Sequence, residues 1–423
     1  MQVEKTDIVQ LVSAQVEANW EEEVKFLQEI GRFPSESGNE KALQSYLAHY
    51  LSTEMEMEVN RFPPDVKDIA AHPGFSPVEW SYAESENVIA TAKGADPAAG
   101  YSLIFQGHVD VVSPEPVSMW SYDPFSAVRE GGKIYARGIL DMKAGLAAMI
   151  FAYKTIQDLG YRPGADFMIQ CVVDEERTGN GALAALEAGY TAEAALIPEP
   201  FGQKVSTAQL GSIWFRITLE TAEEVNVIEK LPVLINALKQ YEDDVNERER
   251  PDAFKEQSRP IEVCIGSIDA GDFPSNVPKK AVMEGRAGLF PGQNPAVVKD
   301  EIKEWITQAA MKEEWMTHHL PEVTFFGFHA EGAAIENDQT AFFQLLDETH
   351  EKVTNSPAQR QALNVTTDAR FFNLYYDIPA VCYGPTGGNI HGVDEWADLE
   401  SMKEVTKVYA AFLAEWCGLI KKE

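Results

Sequence analysis

Two histidines and three acidic residues of this chain have the chemistry and the positions expected of metal ligands. Each follows a short apolar segment or lies at the tip of a loop, and they are His108, Asp141, Glu176, Glu199 and His391. Imidazole nitrogens and carboxylate oxygens are ligands of zinc-like divalent ions, and this set suits two ions when one carboxylate bridges them. A single histidine or glutamate after a strand is usually a satisfied or solvated polar group, so the prediction depends on the whole set.

Asp141, taken alone, is better explained without a metal. It lies just before an apolar helix that we predict to begin near Met142 and to end at Gly160, and an acidic residue there commonly caps the helix. The other candidate ligands favour a metal-binding role instead. The two roles are compatible, because a carboxylate at a helix N-terminus gains from the helix dipole in either case.

Two further acidic residues lie beside the candidate ligands. Asp110 follows His108 by two residues, and we predict that it accepts the imidazole N–H and so fixes the tautomer of the ring. Glu175 directly precedes Glu176, and adjacent side chains of an extended chain point in opposite directions. Glu175 is therefore predicted to act as the general base that deprotonates the attacking water.

Strands that alternate with helices are needed to bring these residues together. We predict four apolar strands, over residues 88–92, 102–105, 167–173 and 194–197. Their alternation with helices indicates a mainly parallel α/β sheet, whose ligand sites lie beyond the carboxyl ends of the strands. His108 and the glutamates at positions 175, 176 and 199 would lie at that edge. Upstream, we predict helices within residues 7–60 and an irregular loop over residues 53–86.

Residues 210–328 follow a different pattern. A strand with period two is followed by a helix, two strands, a helix and a final strand, and this βαββαβ order is typical of a ferredoxin-like α+β domain. The first pattern returns towards the C-terminus, and 423 residues are enough for two cores. We therefore predict one domain over residues 1–209 and 329–423, interrupted by an insert at 210–328.

Composition excludes several classes of partner. The net charge of −32 argues against nucleic acids and anionic membranes, because phosphate groups would be repelled.

The four cysteines are far apart and form no CxxC pair, which argues against a disulfide framework or a thiolate metal site. The N-terminus lacks the features of a signal peptide, and no apolar run is long enough for a membrane span. We expect a cytoplasmic protein.

The motifs around these residues resemble those of the M20 metallopeptidases, in order and over nearly the whole chain. They are Gly107-His-Val-Asp110, Gly138-Ile-Leu-Asp141-Met-Lys143, Asp174-Glu-Glu176, Pro198-Glu199-Pro200, and Gly384-Pro385 followed by His391 and Asp394-Glu395. Within that family, the acetylornithine deacetylases, succinyl-diaminopimelate desuccinylases and aminoacylases are most similar.

The resemblance implies a zinc-exopeptidase-like fold with two divalent ions, which would be zinc or, alternatively, cobalt or manganese. Asp141 would bridge the ions, with His108 and Glu199 on one ion and Glu176 and His391 on the other. It also implies a cis peptide bond after Asp141. The insert would be a lid that often mediates homodimer formation.

Two further residues match family positions that tend to face the substrate. They are Asn276, in Ser-Asn-Val-Pro, and Arg370, in Thr-Asp-Ala-Arg. For Arg370 the structural alternative is an ion pair with Asp368 or another neighbour.

One departure from the family pattern concerns the lid. Members usually carry a histidine in the turn after the first lid strand, where it helps to stabilise the tetrahedral oxyanion, but here Leu219 leads through acidic residues directly to Asn226. Losing one such donor reduces the rate by about 10²–10³. Asn226, His318 or His319 could substitute, the substrate could need less help, or the protein could be slow.

The sequence thus predicts a metal-dependent amidohydrolase that cleaves a small N-acylated amino acid or related amine. A metallo-dipeptidase or carboxypeptidase is the alternative within enzymes, because the same metal centre serves both reactions. A binding protein that retains its metals but is catalytically impaired is the alternative from another class, because of the missing histidine.

Overall fold

The computed structural model describes residues 5–422, with side chains from residue 8 onward. The helices are α1 (Lys5–Gly31), α2 (Lys41–Thr53), α3 (Val66–Ile69), α4 (Ala144–Asp158), α5 (Asn180–Glu187), α6 (Leu231–Glu247), α7 (Pro295–Ala310), α8 (Ala341–Thr354), α9 (Ala369–Tyr375) and α10 (Leu399–Trp416). None of these helices combines the length and the hydropathy that crossing a bilayer requires.

The strands form a central sheet, a sheet in the insert and three smaller sheets. They are β1 (Glu58–Phe62), β2 (Asn87–Ala92), β3 (Leu103–His108), β4 (Val128–Glu130), β5 (Lys133–Tyr135), β6 (Tyr161–Pro163), β7 (Phe167–Val172), β8 (Ala195–Ile197), β9 (Val205–Gln209), β10 (Gly211–Glu220), β11 (Val263–Ala270), β12 (Lys280–Leu289), β13 (Glu322–Ala330), β14 (Ala333–Ala334), β15 (Arg360–Leu363), β16 (Ala380–Cys382), β17 (Gly387–Gly388), β18 (Trp396–Asp398) and β19 (Leu419–Lys421).

The central sheet has the order β1-β2-β7-β3-β8-β16. Strands β7, β3, β8 and β16 run parallel, whereas β2 is antiparallel to both β1 and β7. This confirms the predicted mainly parallel α/β sheet. Parallel strands present their carboxyl ends at one edge, so the loops after β3, β7 and β8 meet there.

Both faces of the central sheet are covered by helices. Alternate residues of β3 point to opposite sides, and Phe105 packs into the core formed with α1, α4 and α10, whereas Ile104 packs towards α5 and α9. Helix α4 is buried almost all round, as expected of a helix in the middle of a core. It begins at Ala144, two residues later than predicted, because the backbone at Asp141 and Met142 is not helical.

The insert forms an antiparallel sheet with the order β11-β12-β10-β13. Its chain order, β10-α6-β11-β12-α7-β13, is the predicted βαββαβ order. The sheet and its two helices share a separate apolar core that includes Phe215, Leu234 and Ile302. The domain boundaries at residues 209/210 and 328/329 stay a prediction.

The prediction of an irregular loop over residues 53–86 was wrong in part. Strand β1 lies within it and forms an edge of the central sheet, and the short helix α3 follows. Most of β1 is exposed or half-buried, because an edge strand packs against few neighbours. Its sequence therefore lacks the apolar alternation that identifies a strand.

We expect the substitution Leu234→Ala to loosen the insert more than the central sheet. Leu234 is fully buried in the core of the insert, and leucine-to-alanine changes in cores cost about 2–5 kcal/mol. Hydrogen exchange followed by mass spectrometry should show faster exchange in β10, α6 and β12 with α4 unchanged. The control is Ile228→Ala, at an exposed isoleucine. Equal loss of protection in α4 would contradict a separately folding insert.

Candidate active site

The structure brings the five candidate ligands together at the carboxyl edge of the central sheet. His108 is the last residue of β3, while Glu176 and Glu199 lie in the loops that follow β7 and β8. Asp141 lies in a wide turn just before α4, and His391 lies in the loop between β17 and β18, with a left-handed backbone.

The side chains of these residues are close enough to share metal ions. The Nε2 atom of His108 lies 3.1 Å from Oδ1 of Asp141 and 3.8 Å from Oε1 of Glu199. The Nε2 atom of His391 lies 3.3 Å from Oδ2 of Asp141 and 3.0 Å from Oε2 of Glu176. Ligands about 2.0–2.1 Å from a tetrahedral ion lie about 3.3 Å from one another. This donor set therefore fits two divalent ions, with the two oxygens of Asp141 facing different imidazoles.

The charges in this cluster are unbalanced without cations. Burial raises the pKa of Glu176, and raises the pKa of Glu199 further above its usual value. The negative charge of Glu176 is the main cause that raises the pKa of His391 to about 11. Burial would raise the pKa of Asp141, but its hydrogen bonds with the two histidines outweigh that effect and lower it. Divalent cations would balance this buried excess of carboxylates.

The turn that carries Asp141 is held by the buried carboxylate of Glu395. Its Oε1 atom accepts hydrogen bonds from the backbone N–H groups of Leu140, at 2.9 Å, and Asp141, at 3.1 Å, and its Oε2 atom accepts one from Gly138, at 2.8 Å. Backbone N–H groups at the start of a helix have no acceptor within the helix, and here the carboxylate of Glu395 is the acceptor. The peptide bond between Asp141 and Met142 is cis, which confirms the expectation from the family resemblance.

Arg137 links the same turn to the loop of His391. Its guanidinium donates to Oε2 of Glu395, at 2.6 Å, and to the carbonyl oxygen of Gly392, at 2.9 Å. The side chains of Arg137 and Glu395 are 2% and 1% exposed, so the pair is fully buried. The Arg137–Glu395 pair therefore fixes two of the candidate ligands, Asp141 and His391, relative to each other.

Glu395 is the positioning residue that the sequence reasoning missed. It was part of a motif, but no role was assigned to it. Its neighbour Asp394 is also acidic but is only half-buried, and it accepts hydrogen bonds from Ser121. Nothing in the local sequence distinguishes the fully buried acid from the half-buried one.

Asp110 has a different arrangement from the one predicted. The Nδ1 atom of His108 donates to the backbone carbonyl of Asp110 at 2.9 Å, while the Asp110 carboxylate lies 3.7 Å away. That carboxylate instead accepts the backbone N–H groups of Glu175, at 3.1 Å, and Glu176, at 3.2 Å, and the hydroxyl of Ser37. The carbonyl thus fixes the tautomer of His108, and the side chain orients the loop that carries both glutamates.

The two adjacent glutamates lie on different sides of the cluster. The carboxylate of Glu175 lies near His108 and Glu199, with ligand atoms within 4.8 Å of one another, whereas Glu176 faces Asp141 and His391. Glu175 is 6% exposed, and burial raises its pKa well above the usual value. A buried carboxyl group with a raised pKa is a suitable proton acceptor near neutral pH.

The loop of Glu199 is enclosed by two glycines. A Cβ atom on Gly145, at the start of α4, would lie 2.2 Å from the carbonyl oxygen of Pro198. A Cβ atom on Gly384 would lie 2.4 Å from the carbonyl oxygen of Glu199 itself. Any larger residue at either position would displace this loop, and Glu199 with it.

The two predicted substrate-binding residues are hydrogen-bonded to other protein groups in this structure. The guanidinium of Arg370 is 1% exposed and donates to the backbone carbonyls of Thr178 and Thr367, while Asp368 lies 3.9 Å away, in line with the structural alternative for this residue. Its role in substrate binding stays a prediction. Asn276 is exposed in the loop between β11 and β12, where it donates to the carboxylate of Asp272.

A cleft of about 530 Å³ lies above the cluster, between the central sheet and the insert. Glu175, Glu176 and His391 form part of its floor, and Trp214, Arg286 and Phe328 contribute from the β10, β12 and β13 strands.

None of the proposed substitutes for the missing lid histidine lines this cleft in the described part of the chain. Asn226 caps the turn that precedes α6, His318 is exposed, and His319 stacks on Trp315.

Comparisons with known proteins give a family match and several relatives. The sequence profile described as Peptidase family M20/M25/M40 matches residues 104–415. The N-formyl-4-amino-5-aminomethyl-2-methylpyrimidine deformylase of Bacillus subtilis is 26% identical over 381 residues, 83% of this chain and 88% of that protein. The succinyl-diaminopimelate desuccinylase of Maricaulis maris is 27% identical over 353 residues, 80% of this chain and 86% of that protein.

Solved structures share the fold over nearly the whole chain. Human carnosine dipeptidase 1 superposes with a TM-score of 0.77 at 16% identity, covering 97% of this chain and 99% of that chain. A protein from Bacillus subtilis described as a dinuclear metal-binding peptidase of the M20 family superposes with a TM-score of 0.60 at 17% identity, covering 96% and 100%.

We expect Glu395→Gln to destabilise the protein and to release the turn of Asp141. The substitution leaves the buried guanidinium of Arg137 without its charge partner, and breaking a buried ion pair in this way costs about 3–5 kcal/mol. Chemical denaturation would measure the free energy of unfolding. The matched control is Asp394→Asn, the same loss of charge at the half-buried neighbour, whose carboxylate accepts from Ser121 and for which we expect a loss of less than about 1 kcal/mol. Similar losses in both variants would contradict the role of Glu395.

Proposed function

The chain belongs to peptidase family M20/M25/M40, and from that premise we propose that it is a two-metal amidohydrolase of small N-acylated amines or amino acids. The membership and the named relatives make it a hydrolase that acts on amide bonds. The observation that carries the two-metal proposal is the position of Asp141, whose oxygens face His108 on one side and His391 on the other.

The metal ligands would divide between two ions. His108 and Glu199 would hold one ion, Glu176 and His391 the other, and Asp141 both. When bound, such ions polarise the carbonyl of the substrate and activate the attacking water. Imidazole and carboxylate donors suit zinc, with cobalt or manganese as alternatives.

Glu175 would move the proton. Its carboxylate would accept a proton from water as the water oxygen attacks the carbonyl carbon of the amide. It would then deliver that proton to the nitrogen as the C–N bond breaks, giving a carboxylic acid and a free amine. Asp110 supports this step by holding the backbone N–H of Glu175.

The relatives support an acyl group of modest size. Their names describe the removal of a formyl group and of a succinyl group, and a cleft of about 530 Å³ suits a substrate of that size. A dipeptidase or carboxypeptidase remains the second candidate within enzymes. Human carnosine dipeptidase 1 and a metallo-carboxypeptidase from Sulfolobus solfataricus share the fold of this chain, at 16% and 17% identity.

We also propose a homodimer formed through the insert. Strand β11 is an edge of the sheet in the insert, and an edge strand offers unpaired backbone groups to a second copy. Large apolar side chains are exposed on β11 and in the loop after it, namely Ile268 at 48%, Phe273 at 64% and Val277 at 39%. The cytoplasmic location stays a prediction.

We expect Glu175→Gln to slow turnover strongly while the bound metal stays. The amide keeps the shape of the side chain but cannot accept the proton, and losing a general base reduces kcat by about 10²–10⁴. The assay would follow amine release from N-formyl, N-acetyl and N-succinyl amines and amino acids in the presence of zinc or cobalt. Elemental analysis would count the ions in each protein.

The control for this experiment is Glu58→Gln, at an exposed glutamate of β1 outside the cleft. Wild-type kcat in the Glu175→Gln protein would contradict the role of Glu175. If the wild-type protein binds its ions but releases no amine from any substrate, the protein is the impaired, metal-retaining homologue. The absence of a lid histidine from the described lining of the cleft is the observation that favours that outcome.

A further inference from the structure

We propose that the cleft selects N-acylated amines that carry a flat ring and lack a carboxylate group. This inference rests on the proposed function and narrows its substrate class, because amino acids and dipeptides carry a carboxylate next to the amide nitrogen. It depends on two properties of the cleft, namely the charges in its wall and the aromatic side chains that the insert contributes.

Arg177, one of the two arginines in the cleft, already forms an ion pair with a carboxylate of the protein. The described lining contains two arginines and no lysine. The Nε atom of Arg177 donates to Oδ1 of Asp174 at 2.9 Å, and its Nη2 atom lies 2.8 Å from the same oxygen. The guanidinium also lies over the ring of Trp80, 4.1 Å from the ring centre. Since the Asp174 side chain is 1% exposed, the pair cannot separate to receive a substrate carboxylate without leaving a buried charge.

Arg286, the other arginine of the cleft, also has a carboxylate partner, but this ion pair lies at the surface. Arg286, on β12, forms an ion pair with Glu262, and the two side chains are 42% and 60% exposed. Both residues line the cleft. A substrate carboxylate that approached Arg286 would therefore meet the charge of Glu262 and would have to displace it. Like charges held this close oppose binding.

Arg370 does not supply the missing cation. It lies behind the cleft with its guanidinium directed at backbone carbonyls. Glu36, by contrast, adds another carboxylate to the wall. The wall beyond the metal ligands thus offers a substrate carboxylate no uncommitted positive side chain among the described residues.

The insert contributes an aromatic corner to the same cleft. Trp214 on β10 and Phe328 on β13 both line it, with ring centres 5.6 Å apart and an angle of 65° between the rings. Leu210 and Val365 continue the apolar surface. Aromatic side chains in this arrangement bind the face or edge of a planar ring, so a substrate ring would gain burial where a carboxylate would meet repulsion.

The test compares two substrates that differ only in the carboxylate, N-formyl-2-phenylethylamine and N-formylphenylalanine. With zinc-loaded wild-type protein we expect kcat/KM at least tenfold higher for N-formyl-2-phenylethylamine, with most of the difference in KM. N-formylhexylamine, which has no ring, should be cleaved less efficiently than N-formyl-2-phenylethylamine. Equal or better cleavage of N-formylphenylalanine by the wild-type protein would overturn the inference.

The substitution Glu262→Gln tests the origin of this preference. It frees Arg286 to bind a carboxylate, and we expect the ratio of kcat/KM between the two substrates to fall at least threefold. The matched control is Glu284→Gln, on the strand of Arg286, because Glu284 pairs with Arg216 and does not line the cleft. In the Glu284→Gln protein, the ratio of kcat/KM between the two substrates should equal that of the wild type. An unchanged ratio in Glu262→Gln would overturn the role of the Arg286–Glu262 pair.

Failure of the proposed function gives a different result. If neither these formamides nor the N-acetyl and N-succinyl substrates are cleaved in the presence of metal, the deacylase proposal fails. Calorimetric titration with the amines 2-phenylethylamine and phenylalanine then decides the inference by itself. Tighter binding of 2-phenylethylamine supports the inference, whereas tighter binding of phenylalanine overturns it.

Discussion

The carboxylate of Glu395 accepts hydrogen bonds from three backbone N–H groups in the turn of Asp141 and from the guanidinium of Arg137. Because Arg137 also holds the carbonyl of Gly392, this contact joins the turn before α4 to a loop more than 250 residues later in the sequence. The positions of Asp141 and His391 both depend on it.

A second constraint comes from the crowding of negative charge. Glu175, Glu176, Glu199 and Asp141 surround two imidazoles, and burial opposes ionisation of these acids. The backbone supports the arrangement locally, since the side chain of Asp110 holds the N–H groups of Glu175 and Glu176. The charge itself is balanced only when cations bind. This arrangement would favour the binding of divalent ions.

The sequence was sufficient to predict the elements that are apolar and regular. The segment Phe167–Val172 is buried along its whole length, so its composition identified a central strand, and the acids after it were correctly placed at the end of that strand. The second helix of the insert was predicted between two strands, and it is found there as α7, with an asparagine cap and a proline at its start. The edge strand β1 was missed because it has little apolar surface to bury.

The sequence could not predict which partner a polar side chain would choose. Arg370 was expected to face the substrate, and its buried guanidinium donates to the carbonyl of Thr178, which is remote in sequence. The carboxylate of Asp110 was expected on His108 but binds backbone groups that come from the loop after β7. Glu395 and Asp394 are adjacent acids with different environments. In each case the deciding contact is remote in sequence, so local spacing carries no information about it.

The central claim is that Asp141 lies between two metal ions, and anomalous diffraction from crystals of the zinc-loaded protein tests it most directly. Data collected at the zinc absorption edge should show two peaks about 3.5–4 Å apart, each in contact with one oxygen of Asp141. One peak should also contact His108 and Glu199, and the other Glu176 and His391. A single peak, or two peaks that Asp141 does not bridge, would contradict the account.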